Sequence, residues 1–185
     1  MNLTVTRISL GVLFAAALVF VAVRAFAAST PVPQVGQTAP MFTLPNQEGT
    51  HISLNQYHGK WVVLYFYPRD MTSGCTIEAR NFQKDIGKFE ALNAVVLGVS
   101  VDSVKSHQQF CAKDGLHFKL LSDTGHNVVE KYGSLGNYMG IKIAKRNTFL
   151  IDPHGKIVKE WVGVDPNQAS TEVLDAIHAM QKQTS

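Results

Sequence analysis

The chain has 185 residues, enough for one domain with a proper core and too few for two. At 45% hydrophobic and 17% charged it has the composition of a globular protein rather than a disordered one. Of 17 basic residues, Arg7 and Arg24 lie in the N-terminal segment, which leaves 15 against 14 acidic ones and no basic field for nucleic acid.

Residues 1–28 read as a signal peptide or an N-terminal membrane anchor. Arg7 supplies the positive start, Ile8 to Val23 is apolar apart from Ser9, and Ala25-Phe26-Ala27 has the small-x-small form of a cleavage site. The apolar run of residues 8–23 is long for a cleaved signal and slightly short of the roughly 20 residues that span a bilayer. Both alternatives place the domain outside the cytoplasm, in a bacterial periplasm, either soluble after cleavage or anchored. Residues 29–34 form a linker within a Pro-rich stretch that runs to Gln37.

Met41 to Leu44 and Thr50 to Leu54 are short β-type runs around the turn residues Pro45 to Gly49, which predicts a hairpin. Trp61 to Tyr67 is apolar on both faces, as a central strand covered on both sides must be. Pro68 ends it, a short loop follows, and Cys75 opens a helix whose apolar face is Ala79, Phe82, Ile86 and Phe89. Ala94 to Val101 is a second buried strand. Asp102 or Ser103 caps a helix through Ala112 that stops at Gly115. A strand at Phe118 to Leu121 and a short helix at Asn127 to Tyr132 come next. Thr148 to Ile151 and Lys156 to Val162 are strands joined by the turn Asp152-Pro153-His154-Gly155. A closing helix, Ser170 to Gln181, turns Val173, Leu174, Ile177 and Met180 inward. Strands alternating with helices, then a hairpin and a helix, predict an α/β sandwich on a mixed sheet.

The two cysteines, Cys75 and Cys111, are too few and too far apart for a structural zinc site, and the seven histidines form no ligand cluster, so they read as structural or surface groups. Cys75 stands where a reactive thiol would. The first turn of a helix has unpaired N–H groups and a positive dipole end, and both favour thiolate. Read one at a time, the surrounding residues are bland: Pro68 ends a strand, Thr72 caps a helix, and Arg146 is a surface cation beside Lys142 and Lys145.

Read together, Pro68, Thr72 and Cys75 resemble the Pro-x-x-x-Thr/Ser-x-x-Cys signature of peroxiredoxins. The flanks, Tyr65-Phe66-Tyr67-Pro68 and Gly74-Cys75-Thr76-Ile77-Glu78-Ala79, resemble the peroxiredoxin Q, or bacterioferritin-comigratory, branch. Gly36 to Pro40 with Phe42 to Leu44, Leu120 to Asp123, and Arg146 to Asp152 resemble further segments of that branch, in order. The resemblance covers residues 35–185 and implies a thioredoxin-like sandwich, a mixed central sheet flanked by helices, with an N-terminal β-hairpin. It implies reduction of hydrogen peroxide and organic hydroperoxides by the Cys75 thiolate, which becomes a sulfenic acid. The implied site is Cys75, Thr72, Arg146 and Pro68. Arg146 serves the thiolate and the peroxide oxygens, Thr72 accepts from the peroxide and donates to the sulfur, and Pro68 shapes a dry pocket. No metal and no organic cofactor is required.

The branch often has a resolving cysteine five residues after the first; here that residue is Arg80, and Ser73 replaces the usual proline before Gly-Cys. Cys111, on the next helix, resembles the resolving cysteine of other members, which implies a Cys75–Cys111 disulfide reached by local unwinding and reduced by a thioredoxin-like partner. The expected protein is a monomer. Two alternatives stay open: a one-cysteine peroxidase recycled by an external thiol, and an exported disulfide reductase or copper-delivery protein. The second would need a Cys-x-x-Cys or Cys-x-x-x-Cys pair, which the segment after Cys75 lacks.

Overall fold

The structure is a computed structural model and describes residues 32–183. The signal or anchor segment and residues 29–31 of the linker lie outside the described residues. The domain opens with a small antiparallel hairpin, β1 (Thr43–Pro45) and β2 (His51–Ser53), followed by a 3-10 turn at Leu54–Tyr57. Pro45 is the last residue of β1 and not part of the turn. Asn46 closes that turn, its Oδ1 accepting from the N–H groups of Glu48 and Thr50.

The main sheet has five strands in the order β5-β4-β3-β8-β9. β3 (Trp61–Phe66), β4 (Ala94–Ser100) and β5 (Lys119–Ser122) run parallel; β8 (Asn147–Ile151) pairs antiparallel with β3, and β9 (Ile157–Val162) pairs antiparallel with β8 at the edge. β3 is therefore central, as its two apolar faces require. Val63, Tyr65 and Tyr67 enter one core; Val62, Leu64 and Phe66 enter the other. The first core takes the apolar residues of α1 (Ser73–Lys84), α2 (Ile86–Ala91), α3 (Val104–Asp114) and α5 (Ala169–Gln183). The second takes those of the hairpin and of α4 (Asn127–Lys131).

Two packing details place the site. Gly98 of β4 faces Tyr65 of β3, and a Cβ there would lie 2.7 Å from the Tyr65 ring and from Leu120. Its bare backbone lets Tyr65 lie flat over β4 and stack on Phe82 of α1, with ring centroids 4.8 Å apart. The helix predicted from Cys75 to Phe89 is two helices. Asp85 ends α1 and starts α2, where its carboxylate accepts from Lys88 Nζ and the Ser170 hydroxyl, both at 2.8 Å.

α3 follows its predicted signals: Ser103 accepts from the Ser106 N–H, and Gly115 ends the helix in the left-handed region at φ 63°. A second hairpin, β6 (Leu135–Tyr138) and β7 (Ile141–Ala144), lies where the sequence reading assigned nothing.

Candidate active site

The site lies at the carboxyl ends of the parallel strands, where loops leaving an open sheet converge. β3 ends at Phe66, and residues 67–72 carry the chain to α1. Thr72 is the N-cap, so Cys75 is the third residue of the helix rather than its opening one. Its amide is among the first four, which have no intrahelical acceptor. Cys75 is 1% exposed and belongs to the core cluster that also contains Tyr65 and Ala79.

Arg146 reaches this cysteine from the other side of β3. Phe66 pairs with Asn147 across the β3–β8 ladder, so the residue before β8 stands beside the end of β3. The Arg146 backbone is held, since its carbonyl accepts from the Val164 N–H at 3.0 Å. Its Nη2 donates to Cys75 Sγ at 3.3 Å, while Nη1 pairs with Glu78 Oε2 one helical turn beyond the cysteine. Gly74 leaves room for this approach. A Cβ at that position would lie 3.3 Å from Arg146 Nη2 and 3.6 Å from Pro166 Cγ.

Glu78 is fully buried, and burial pushes its carboxyl up to about 7 against the downward pull of Arg146. Burial works against the Arg146 charge, yet Glu78 and Cys75 beside it raise it above its ordinary value. A guanidinium shared between a sulfur and a carboxylate keeps its charge and its direction.

Thr72 and Pro68 line an open pocket of about 390 Å³ with Arg69, Tyr138, Ile141 and Ile143. Its walls are mainly apolar and come partly from the unpredicted hairpin.

The AhpC/TSA family model matches residues 35–160. The chain belongs to that family. Within it the chain is a peroxiredoxin of the peroxiredoxin Q/Bcp branch. It is 40% identical over 156 residues to peroxiredoxin Bcp of Bacillus subtilis, covering 80% of this chain and 98% of that one. It is 45% identical over 148 residues to a putative peroxiredoxin bcp of Coxiella burnetii, covering 76% and 96%. Among solved structures it resembles a PrxQ mutant of Xylella fastidiosa, with a TM-score of 0.77 at 36% identity over 80% of this chain and 98% of that chain. It also resembles the bacterioferritin comigratory protein of Xanthomonas campestris, with a TM-score of 0.73 at 35% identity over 80% and 98%. The protein is an oxidoreductase, a thiol-dependent peroxidase on a thioredoxin-like fold.

In this peroxiredoxin the structure brings Cys75 and Arg146 together and sets Pro68 and Thr72 on one pocket wall. Thr72 differs from expectation. Its hydroxyl has one proton and donates it to the Arg69 carbonyl at 3.1 Å, so in this state it does not donate to the sulfur. The oxygen remains free to accept. Cys111 lies in α3 as a half-buried free thiol, and Cys75 is also free. Burial, with the Asp70 charge adding to it, pushes the Cys111 thiol up to about 11, so it is protonated while α3 stays packed.

Three groups escaped the sequence reading. Glu78 was quoted only as a flank of the motif, although its place three residues after Cys75 puts it on the same helix face. Asp70 and His107 form a buried pair, with Nδ1 to Oδ2 at 2.8 Å. Arg80, noted only as the residue in place of a cysteine, is bound to Asp114 of α3.

Proposed function

We propose that Cys75 attacks the terminal oxygen of hydrogen peroxide or an organic hydroperoxide, and that Cys111 then displaces the sulfenic oxygen to form an intramolecular disulfide. The observation that carries the first step is the Arg146 guanidinium 3.3 Å from Cys75 Sγ at a helix N-terminus. Such a donor stabilises the attacking thiolate and, as the O–O bond breaks, the charge on the departing oxygen. The first turn of α1, whose amides have no intrahelical acceptor, adds its positive dipole end to that charge. The apolar pocket beside Thr72 and Pro68 gives an alkyl group a place to lie while the peroxide oxygens face the cysteine. The Xanthomonas campestris structure is described in terms of alkyl peroxide reduction, in keeping with this reading.

Cys111 is the remaining thiol of the chain. Its protonation in packed α3 makes it a weak nucleophile there, and unwinding of α3 would relieve both the burial and the Asp70 charge that cause it. A thioredoxin-like reductant returns the disulfide to two thiols. The apolar N-terminal segment favours action outside the cytoplasm.

The test is peroxide consumption by the full-length chain with thioredoxin as reductant. Cys75→Ser falls to the uncatalysed background. Cys111→Ser completes one turnover and accumulates Cys75 sulfenic acid with thioredoxin alone. Wild-type activity in Cys75→Ser refutes the proposal, and full turnover by Cys111→Ser assigns recycling to an external thiol.

A further inference from the structure

The β6–β7 hairpin supplies one wall of the pocket beside Pro68 and Thr72, and its tip belongs to neither core. Side chains alternate along it as in any two-stranded ribbon. Tyr138 pairs across to Ile141, and with Ile143 they form the apolar face that lines the pocket. Yet Tyr138 is 65% exposed and Ile141 54%. Met139, at the turn, is 87% exposed, the highest value among the large apolar side chains of the described residues. Met139 and Met71 are two of the four non-glycine residues there with positive φ, at 51° and 58°. Met71 is also exposed, and it stands in the loop that supplies the opposite wall. Each wall thus carries a long apolar side chain on left-handed backbone, where a small polar residue would suit both the turn and water better.

Backbone can enter an apolar phase only when its polar groups are already paired. The hairpin strands pair with each other, and at the turn the Gly140 N–H donates to Asn137 Oδ1 at 2.8 Å. Charge around the tip has one sign. Residues 132–151 contain no Asp or Glu, and Asp70 on the other wall is buried against Tyr67 and His107. Arg69, Lys142 and Lys145 remain exposed, and none pairs with a carboxylate among the described residues. An apolar tip flanked by long cations fits the surface of an anionic bilayer, with the aromatic ring at headgroup depth and the lysines reaching back to phosphate. It falls far short of the roughly 800 Å² per partner that a stable protein interface buries. The chain itself brings a bilayer near. Residues 24–34 separate the apolar run of residues 8–23 from the domain and reach roughly 36–40 Å when extended, so an anchor at that run keeps the domain within this distance of a membrane.

We propose that the β6–β7 tip inserts into the surface of an anionic bilayer and sets the pocket against it, so that the enzyme reduces the hydroperoxide of a phospholipid still held in the membrane. This rests on the peroxidase reading above. The oxidised acyl chain lies along Tyr138, Ile141 and Ile143 while its hydroperoxide faces Cys75. The Cys75 sulfur bonds to the terminal oxygen, which keeps its hydrogen, and the O–O bond breaks. The lipid oxygen takes a proton and stays in the bilayer as an alcohol. The sulfur gives up the two electrons that the peroxide gains and becomes a sulfenic acid.

The experiment places the full-length chain in phosphatidylcholine vesicles with or without phosphatidylglycerol. Tyr138→Trp puts an indole at the tip, and wild type supplies the background of Trp61 and Trp161. The added emission shifts to the blue and is quenched by brominated acyl chains when phosphatidylglycerol is present, and adding Lys142→Glu cuts that quenching by about half or more. Met139→Asn, which suits the turn, gives a second measurement. Oxidation of Cys75 by a phospholipid hydroperoxide in the vesicles slows about threefold or more, while oxidation by hydrogen peroxide stays within about twofold of wild type. Added emission that bromine does not quench overturns the insertion and leaves the peroxidase reading standing. So does an equal loss of both rates in Met139→Asn, the mark of a disturbed site. A vesicle-free dimer that Met139→Asn abolishes, with no quenching in vesicles, overturns it in favour of a second copy of the chain. A wild-type chain that reduces neither peroxide overturns both readings.

Discussion

Glu78 shows what a single buried carboxyl does to this site. It is pushed up to about 7 from an ordinary value of 4.5, so folding takes up a proton between those two pH values. The associated stability is complete below about pH 4.5 and is lost as pH rises through about 7, and at roughly 1.4 kcal/mol per unit it is on the order of 3 kcal/mol. Glu78→Gln has no such proton. Unfolding free energies from urea titrations at pH 4.5 and 8 will fall more for wild type than for Glu78→Gln by about this amount, and equal falls would refute the assignment. Cys75 was legible in the sequence because its neighbours within seven residues form a motif. Arg146 was legible only through resemblance, since nothing local separates it from Lys142 and Lys145. Glu78 was not legible as a partner, because its meaning depends on a residue 68 positions away. Thr72 shows the limit of the motif itself. The motif names Thr72, but the direction of its one hydroxyl proton is set by the Arg69 carbonyl, which the motif does not encode.

At the scale of elements, every strand of the main sheet was visible as an apolar or alternating run closed by turn residues. The β6–β7 hairpin was not. Its two-residue turn is Met139-Gly140, with φ values of 51° and 85°, the pattern of a type I′ turn. That turn usually announces itself as Asn-Gly or Asp-Gly, and Met at the first position gives no signal. Met139 is also 87% exposed, so its side chain buries little that would repay a left-handed backbone. Met139→Asn will stabilise the domain by about 0.5–1 kcal/mol, a rise of roughly 1–4 °C in Tm. A Tm below wild type would show that Met139 is held by packing instead. The break between α1 and α2 escaped for a different reason. The apolar face continues smoothly through Ile86 to Phe89, and only the tertiary partner Ser170 makes Asp85 a helix end.

For the whole molecule, the sheet separates two cores with unequal duties. Phe82 lies in the core that contains Cys75, stacked on Tyr65; Phe149 lies in the other, edge-on to Phe66 and Tyr132. Truncating either to Ala costs about 3–5 kcal/mol, since both are fully buried. Stability therefore falls alike in urea titrations of Phe82→Ala and Phe149→Ala. Their peroxide kinetics diverge: Phe82→Ala slows the oxidation of Cys75 at least about tenfold, because the packing beneath α1 aims the sulfur, while Phe149→Ala stays within about threefold. Equal losses in both would mean that the two cores act as one. The α/β architecture and the centrality of β3 were readable from pattern, because burial on both faces leaves no polar alternation. The pairing of β3 with β8 was not, since it joins residues from 81 (Phe66 and Asn147) to 89 (Val62 and Ile151) positions apart in an order that periodicity does not encode.

That pairing has a consequence in time. A ribosome makes Cys75 first and Arg146 seventy-one residues later. β3 and β4 can meet early, but the guanidinium arrives only when β8 has been made and has docked in register beside β3. Until then the cysteine is a thiol at a helix end with no cation beside it. The peroxidase is thus switched on only once β8 has docked, and a nascent or incompletely folded molecule carries the nucleophile without its activator.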